Sequence, residues 1–407
     1  MENNKDLLKL IGERLLSENT IAKVWGIATL TLNDAKPPML MPEYAYDKYI
    51  YRDVDYWTSG FFPGSIYALL ERAKKYPSKF PSEKIHIRKL EFAARWWSEA
   101  LKTQKDRTDN HDLGFMIQPS FQREFEYCGS LEAKECLVSA ANALSTRWNE
   151  DVGCIRSWDK AVNKRYKFDD MERDFIVIID NMCNLDLLYY VAHITGDLRL
   201  STIATKHAET TIKNHFRFPE WSSFHLLNYN KKNGTVKGFT NQGYSDDSTW
   251  SRGQAWGILG YAEAYHWTKL ENFLNAAKKL GEYFMSRLPK DGVPPWDFDA
   301  PTSDIKDVSA AMVAALGFLK IYVETKSELY LSNCLKLVND SLNLSYVNDS
   351  VLHDDGTVEM GEIDTILKHS TTINNADAIN KYFDHGLVYA DYYLLVIGNL
   401  LLDLDLI

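Results

Sequence analysis

Two carboxylates and one tryptophan-arginine cluster carry the residue types and spacings that could do chemistry. Asp180 follows the apolar run Phe175-Ile176-Val177-Ile178-Ile179 and precedes Asn181, Met182 and Cys183. A carboxyl in such surroundings is expected to be partly desolvated, which favours its protonated form; a helix cap is the alternative role. A carboxylic acid kept protonated near neutral pH is what a general acid requires. Asp112 lies in His111-Asp112-Leu113-Gly114, where an Asp before a helix can serve equally as a cap. The cluster runs from Gln242 to Gly257, with Trp250 and Trp256 six residues apart and Arg252 between them. On a helix start, Arg252 and Trp256 share a face at i,i+4 spacing. The arginine fork matches a carboxylate bidentately, so Arg252 or Gln242 is the expected partner of an anionic ligand.

Weaker candidates surround these. Trp57 opens Trp57-Thr58-Ser59-Gly60, Trp158 sits in Ile155-Arg156-Ser157-Trp158-Asp159, and His225 ends Ser222-Ser223-Phe224-His225. Trp158 suits a sugar platform or a loop cover, and His225 a pocket wall or a solvated loop. Trp296-Asp297-Phe298-Asp299 reads as part of a rim. His353-Asp354-Asp355 resembles a metal fragment but lacks partner spacing, so it is read as a turn. No metal or cofactor is expected: no P-loop, dinucleotide fingerprint or nucleophilic Ser/His/Asp arrangement occurs.

Composition narrows the classes. The 407 residues include 11 Trp, 23 Tyr and 18 Phe, and several of the Trp stand beside Asp, Arg, Gln and Gly rather than inside apolar runs. Rigid aromatic walls that stack on sugar rings give that pattern. A net charge of −10 without a basic stripe argues against a nucleic-acid partner, and an anionic substrate would need local cations. The start MENNKDLLKLIGERLL lacks the features of a secretory signal, and no apolar run approaches the roughly 20 residues that span a bilayer. Cys128, Cys136, Cys154, Cys183 and Cys334 show neither zinc spacing nor a disulfide framework. Reduced thiols in the cytoplasm are the expectation.

These residues need elements to hold them. Helical periodicity predicts helices at about 4–17, 58–76, 83–102, 113–128, 131–148, 177–195, 198–215, 250–267, 270–287, 307–324, 327–343 and 385–403. Most fall into αα-hairpins with short turns, separated by longer connections at 149–176, 216–249, 288–306 and 344–384. The expected architecture is all-α: a single domain over 1–407 in which six hairpins close into an (α/α)6 toroid. A superhelical array is the rival, disfavoured because no repeat of constant period occurs. In a toroid the first helices of all hairpins start on one rim. The clusters at Trp57, Asp112, Asp180, Trp250–Trp256 and Asp307 fall at those starts, where helix N-termini favour an anion. Glycines 60, 64, 257 and 260 would let inner helices approach closely.

Taken together, WTSGFFPGSIYALLE, HDLGFM, IIDNMCNLDLLYY, QGYSDDSTWSRGQAWGILGYAEAY, PPWDFDAP with DVSAA, and HGLVYADYYLL resemble glycoside hydrolase family 88, the unsaturated glucuronyl hydrolases. The resemblance runs from about residue 57 to the C-terminus, with the motifs in family order. It implies a six-hairpin α/α barrel and a metal-free hydrolysis that releases 4,5-unsaturated uronic acid from lyase-generated oligosaccharides. By resemblance Asp180 is the general acid/base and Asp112 the second essential carboxylate. Trp57, Trp158, His225, Gln242, Trp250, Arg252 and Trp256 are the implied pocket residues. The partner implied is an unsaturated uronyl oligosaccharide; the oligomeric state is open between monomer and homodimer. The rivals are an unsaturated rhamnogalacturonyl hydrolase acting on pectin fragments, an inverting glycosidase on the same fold, and a non-catalytic sugar-binding toroid. Lys368-His369-Ser370-Thr371 occupies the region where some members recognise sulfated sugars, and its spacing leaves sulfate preference open.

Overall fold

The computed structural model describes residues 2–407, with side chains from residue 4 onward. Among them run thirteen α-helices: α1 (Glu2–Leu15), α2 (Glu18–Thr29), α3 (Phe61–Lys75), α4 (Ile87–Ser98), α5 (Leu113–Cys128), α6 (Leu131–Ser145), α7 (Asn181–Thr195), α8 (Leu198–Asn214), α9 (Ser251–Thr268), α10 (Glu271–Ser286), α11 (Val308–Thr325), α12 (Glu328–Ser345) and α13 (Val388–Asp403). Helices α3, α5, α7, α9, α11 and α13 each pack on the next, and α13 returns to α3, closing a ring of six. Helices α4, α6, α8, α10 and α12 each back onto the inner helix before them, and α1 packs on α12 and α13. This is the (α/α)6 toroid. The two rings differ as their surroundings require: inner helices such as α9 and α11 are buried almost all round, whereas α4 and α10 bury one stripe. One connected apolar core runs from Leu8 to Leu401.

Three local expectations need correction. The 4–17 helix is followed by a further helix, α2, which the sequence reading left unassigned. Ser17 both ends α1 and caps α2, accepting a hydrogen bond from the Thr20 N–H. Trp25 on α2 is fully buried. The expected 83–102 helix is shorter, ending at Ser98 and tightening into a 3-10 turn over Glu99–Gln104. The expected 177–195 helix is two elements. Asp174–Ile178 is a strand paired antiparallel with Leu226–Asn230, and α7 begins only at Asn181. Branched Ile and Val stiffen χ1 and fit a pleated, paired surface better than a helix turn. Asp180 thus stands at the junction of strand and helix, in the N-cap position without making a side-chain cap bond.

The inner ring is tight. A Cβ on Gly60 would land against the Phe115 and Met116 carbonyls, and one on Gly260 against the Met182 backbone, so α3 meets α5 and α9 meets α7 only through glycine. Gly257 instead faces Leu280 of the outer helix α10. The 18 residues of α11 are apolar enough on average to cross a bilayer, closer to a spanning run than the sequence reading allowed, but most of them lie buried inside the ring.

Candidate active site

Because the inner helices share one direction, their starts and the long connections that feed them meet on one rim. Bridges between these connections join Asn110 to Trp158 and Trp250 to Asp297. All nine residues singled out by sequence lie in this one region. Trp158 stands edge-on to His225 (ring centroids 6.1 Å), and His225 leans on Trp250 at 4.6 Å. The Arg252 guanidinium lies 4.6 Å from the Trp250 ring and 5.4 Å from Tyr389. Tyr389 contacts Trp57 at 5.2 Å and Trp256 at 6.4 Å, and Phe115 lies between Trp57 (5.7 Å) and Trp256 (5.0 Å). Trp57, Trp158 and Gln242 are half-buried and form the mouth. Trp250, Trp256, Arg252 and His225 are buried and form the floor.

Asp112 and Asp180 keep only 9% and 6% of their surface exposed. Burial pushes the Asp112 carboxyl up to about 7 against the opposing pull of Arg147 and Arg107. Burial also pushes Asp180 up to about 7; Arg252 opposes the shift and the Asp112 carboxylate reinforces it. The Asp180 Oδ1 and the Trp256 indole N–H are both buried without a hydrogen-bond partner, although Trp256 is near enough to favour the carboxylate. His225 Nδ1 accepts the Asn241 backbone N–H at 3.0 Å, which puts the ring hydrogen on Nε2, a buried atom with no partner. The His225 carbonyl accepts the Ile179 N–H at 3.0 Å, so this imidazole is fixed beside the residue that precedes Asp180. Gln242 Oε1 and Arg252 Nε are likewise buried and unpartnered. Buried polar atoms are ordinarily paired, so this density of free donors and acceptors marks a place prepared for a polar ligand.

Arg252 is anchored from one side: Nη1 donates to Asp307 Oδ2 at 2.6 Å and to the Thr371 carbonyl at 2.5 Å, and Nη2 to the Thr372 carbonyl at 2.9 Å. The guanidinium is buried, and these bonds leave Nε–H and one of the two Nη2 hydrogens without a partner. Two site residues escaped the sequence reading as individuals. His111 Nε2 lies 3.3 Å from Asp112 Oδ1, and burial pushes its imidazole down to about 3, so it is neutral. Tyr389, fully buried with an unpartnered hydroxyl, sits at the start of the last inner helix. The signal for Tyr389 was the HGLVYADYY motif at that helix start. Asp297 fixes the rim by accepting the Tyr244 N–H and the Ser248 hydroxyl at 2.8 and 2.7 Å. His353-Asp354-Asp355 forms the expected turn, and no group of metal-ligating side chains gathers among the described residues.

A cavity of about 330 Å³ opens between the later turns of the inner helices. Its lining contains none of the nine residues, and its cations are paired within it, Arg123 with Glu71 and Lys320 with Glu263.

A toroid whose rim buries two carboxyls with near-neutral pKa values among tryptophans defines a carbohydrate-active hydrolase. The comparisons sharpen that class. No family model matches the chain. The chain is 34% identical over 401 residues to the unsaturated glucuronyl hydrolase of Formosa agariphila, covering 97% of this chain and 91% of that protein. It is 30% identical to the unsaturated chondroitin disaccharide hydrolase of Streptococcus pneumoniae, over 92% of this chain and 89% of the relative. Among solved structures, it is similar to an unsaturated glucuronyl hydrolase specific for heparin, with a TM-score of 0.78, 28% identity, and coverage of 97% and 99% of the two chains. The unsaturated glucuronyl hydrolase of a Bacillus species matches with a TM-score of 0.76 and 26% identity, over 95% and 96%. The chain belongs to the unsaturated glucuronyl hydrolase family.

Proposed function

We infer that the protein releases 4,5-unsaturated uronic acid from the non-reducing end of lyase-generated oligosaccharides, by acid/base-catalysed hydration of the C4=C5 enol ether. The observation that carries this reading is the pair of buried carboxyls, Asp180 and Asp112, both raised to about 7 on the aromatic rim. The substrate ring is a cyclic enol ether conjugated to a carboxylate. Asp180, protonated, delivers its proton to C4, and the same group as carboxylate then takes a proton from the water that adds at C5. The hemiketal so formed opens, and the glycosidic bond separates without attack at the anomeric carbon, so the rule linking carboxylate separation to stereochemistry does not apply. Burial keeps Asp180 protonated, and the neighbouring Asp112 carboxylate adds to the effect. Trp57 and Trp158 supply the exposed ring faces on which the sugar stacks. His225 Nε2–H and the Trp256 indole N–H supply donors for the ring substituents and the uronate carboxylate. Gln242 and the Nε–H of Arg252 complete that set.

Disaccharides of the chondroitin and heparin type are the proposed substrates, because relatives named for them are similar over nearly the whole chain. The proposed compartment is the cytoplasm; the five cysteines are all free thiols, and recovery of the protein outside the cytoplasm would contradict it. The activity is tested by incubation with unsaturated disaccharides from chondroitin, heparin and rhamnogalacturonan lyases beside their saturated counterparts. Loss of the enol-ether ultraviolet absorbance with release of the neighbouring sugar is expected for the glycosaminoglycan disaccharides. Turnover of the saturated glycosides at a similar rate would contradict the reading.

A further inference from the structure

Asp307 is fully buried just ahead of α11 and makes no side-chain cap bond to its own helix. Its carboxylate turns sideways instead. Oδ2 accepts from Arg252 Nη1 at 2.6 Å, and Oδ1 accepts the Ser309 hydroxyl at 2.5 Å and the Thr371 N–H at 3.4 Å. The segment 369–372 is stitched to the same helix start: Val308 N–H donates to the His369 carbonyl, Ser309 N–H to the Ser370 hydroxyl, and the Thr371 hydroxyl to the Lys306 carbonyl, at 3.0, 3.2 and 2.8 Å. Arg252 holds the other side of that segment through the Thr371 and Thr372 carbonyls. Two inner helix starts and one rim segment therefore meet on a single carboxylate.

We propose that Asp307 is a positioning residue of the reaction: it fixes Arg252 and the 369–372 segment so that the guanidinium keeps its place beside Asp180, without itself touching substrate. The proposal rests on the reading of Asp180 as the acid. The charged and titratable groups around the pair are few. Arg252 faces Asp307, Asp180, Tyr389, His225 and His385, the last two being imidazoles that burial pushes down; Asp307 faces Arg252, Tyr389 and His385; Asp180 faces Arg252 and Asp112. The Asp307 carboxylate pairs with the guanidinium at 2.6 Å and compensates much of the arginine's charge locally. Without it, the uncompensated guanidinium pulls harder on Asp180 and favours its carboxylate.

The test compares wild type with Asp307→Asn, each alone and in an Arg252→Gln background, on one unsaturated disaccharide across pH. Asn keeps the size and an acceptor for Thr371 but removes the charge. Asp307→Asn is expected to lower kcat/KM by roughly tenfold or more, the scale of a small misplacement at a reacting centre. Its alkaline limb is expected to move to lower pH. In the Arg252→Gln background the same change is expected to cost less than about threefold, since residues acting through one another are non-additive. An unmoved alkaline limb, or an equal loss in both backgrounds, would overturn the proposal and leave Asp307 a merely structural residue. Should Asp307→Asn not accumulate as folded protein, Ser309→Ala loosens the same pair but keeps its charge; a smaller loss of kcat/KM that disappears in the Arg252→Gln background is expected, and no loss, or an equal loss in both backgrounds, overturns the proposal. A wild type inactive on every unsaturated disaccharide would instead overturn the functional reading beneath it.

Discussion

Asp180 shows how far residue-level reasoning reaches. Its neighbours in sequence already imply desolvation, and in the fold burial and Asp112 together hold it near 7. Asp180→Asn keeps size and hydrogen bonding but cannot deliver a proton. Activity is expected to fall by roughly 10²–10⁴-fold, the value of general acid/base help, as measured by loss of the ultraviolet chromophore. Stability moves the other way. A carboxyl whose folded pKa lies above its unfolded value costs nothing below the unfolded pKa and most above the folded one. The Asn variant should therefore melt higher than wild type at pH 8, by the equivalent of about 2–4 kcal/mol, and the difference should vanish near pH 4. An equal melting temperature at pH 8, or activity within tenfold of wild type, would contradict the assignment. Arg252 marks where such reasoning stops. Its identity and position beside Trp250 were legible, but the partners that anchor it, Asp307 and Thr371, lie 55 and 119 residues away. Chain spacing carries no trace of a pairing made only when the ring closes.

At the scale of elements, the hairpins were legible because each inner helix buries apolar residues at helical period and each outer helix buries one stripe. The strand Asp174–Ile178 was not, because a run of five apolar residues reads the same in a strand and in a buried helix start. Only its partner Leu226–Asn230, some fifty residues on, decides between them. Helix α2 was missed because the Ser17 cap hides at the end of an existing helical pattern. The glycines of the inner ring were correctly read as packing devices at Gly60 and Gly260, and less so at Gly257, which faces an outer helix. Gly260→Ala would drive a methyl group into the Met182 backbone, where nothing flexible can yield. Overpacking of this kind typically costs about 1–3 kcal/mol, so its denaturant midpoint should fall clearly. An Ala variant as stable as wild type would show that α7 and α9 do not approach through that residue.

At the scale of the molecule, ring closure turns separate motifs into one site. Residues from all six inner helix starts and four long connections face one another only because the sixth inner helix returns to the first. The charge balance follows the same logic. The protein carries a net charge of −10, and the rim cations are largely committed: Arg252 to Asp307, Arg147 to Asp159, and Arg165 to Asp246 and Asp377. On the proposed reading, an anionic sugar meets few uncommitted cations, and the neutral donors His225, Trp256 and Gln242 join the free N–H groups of Arg252 in a buried setting where hydrogen bonds count for more. The central claim is that water adds across C4=C5 rather than at the anomeric carbon, and one measurement addresses it directly. An unsaturated disaccharide is turned over briefly in heavy water and the released uronate is analysed by deuterium NMR. The account predicts deuterium at C4 of the product, appearing in step with loss of the double bond. Release of the neighbouring sugar with the double bond intact and no deuterium at C4 would contradict it.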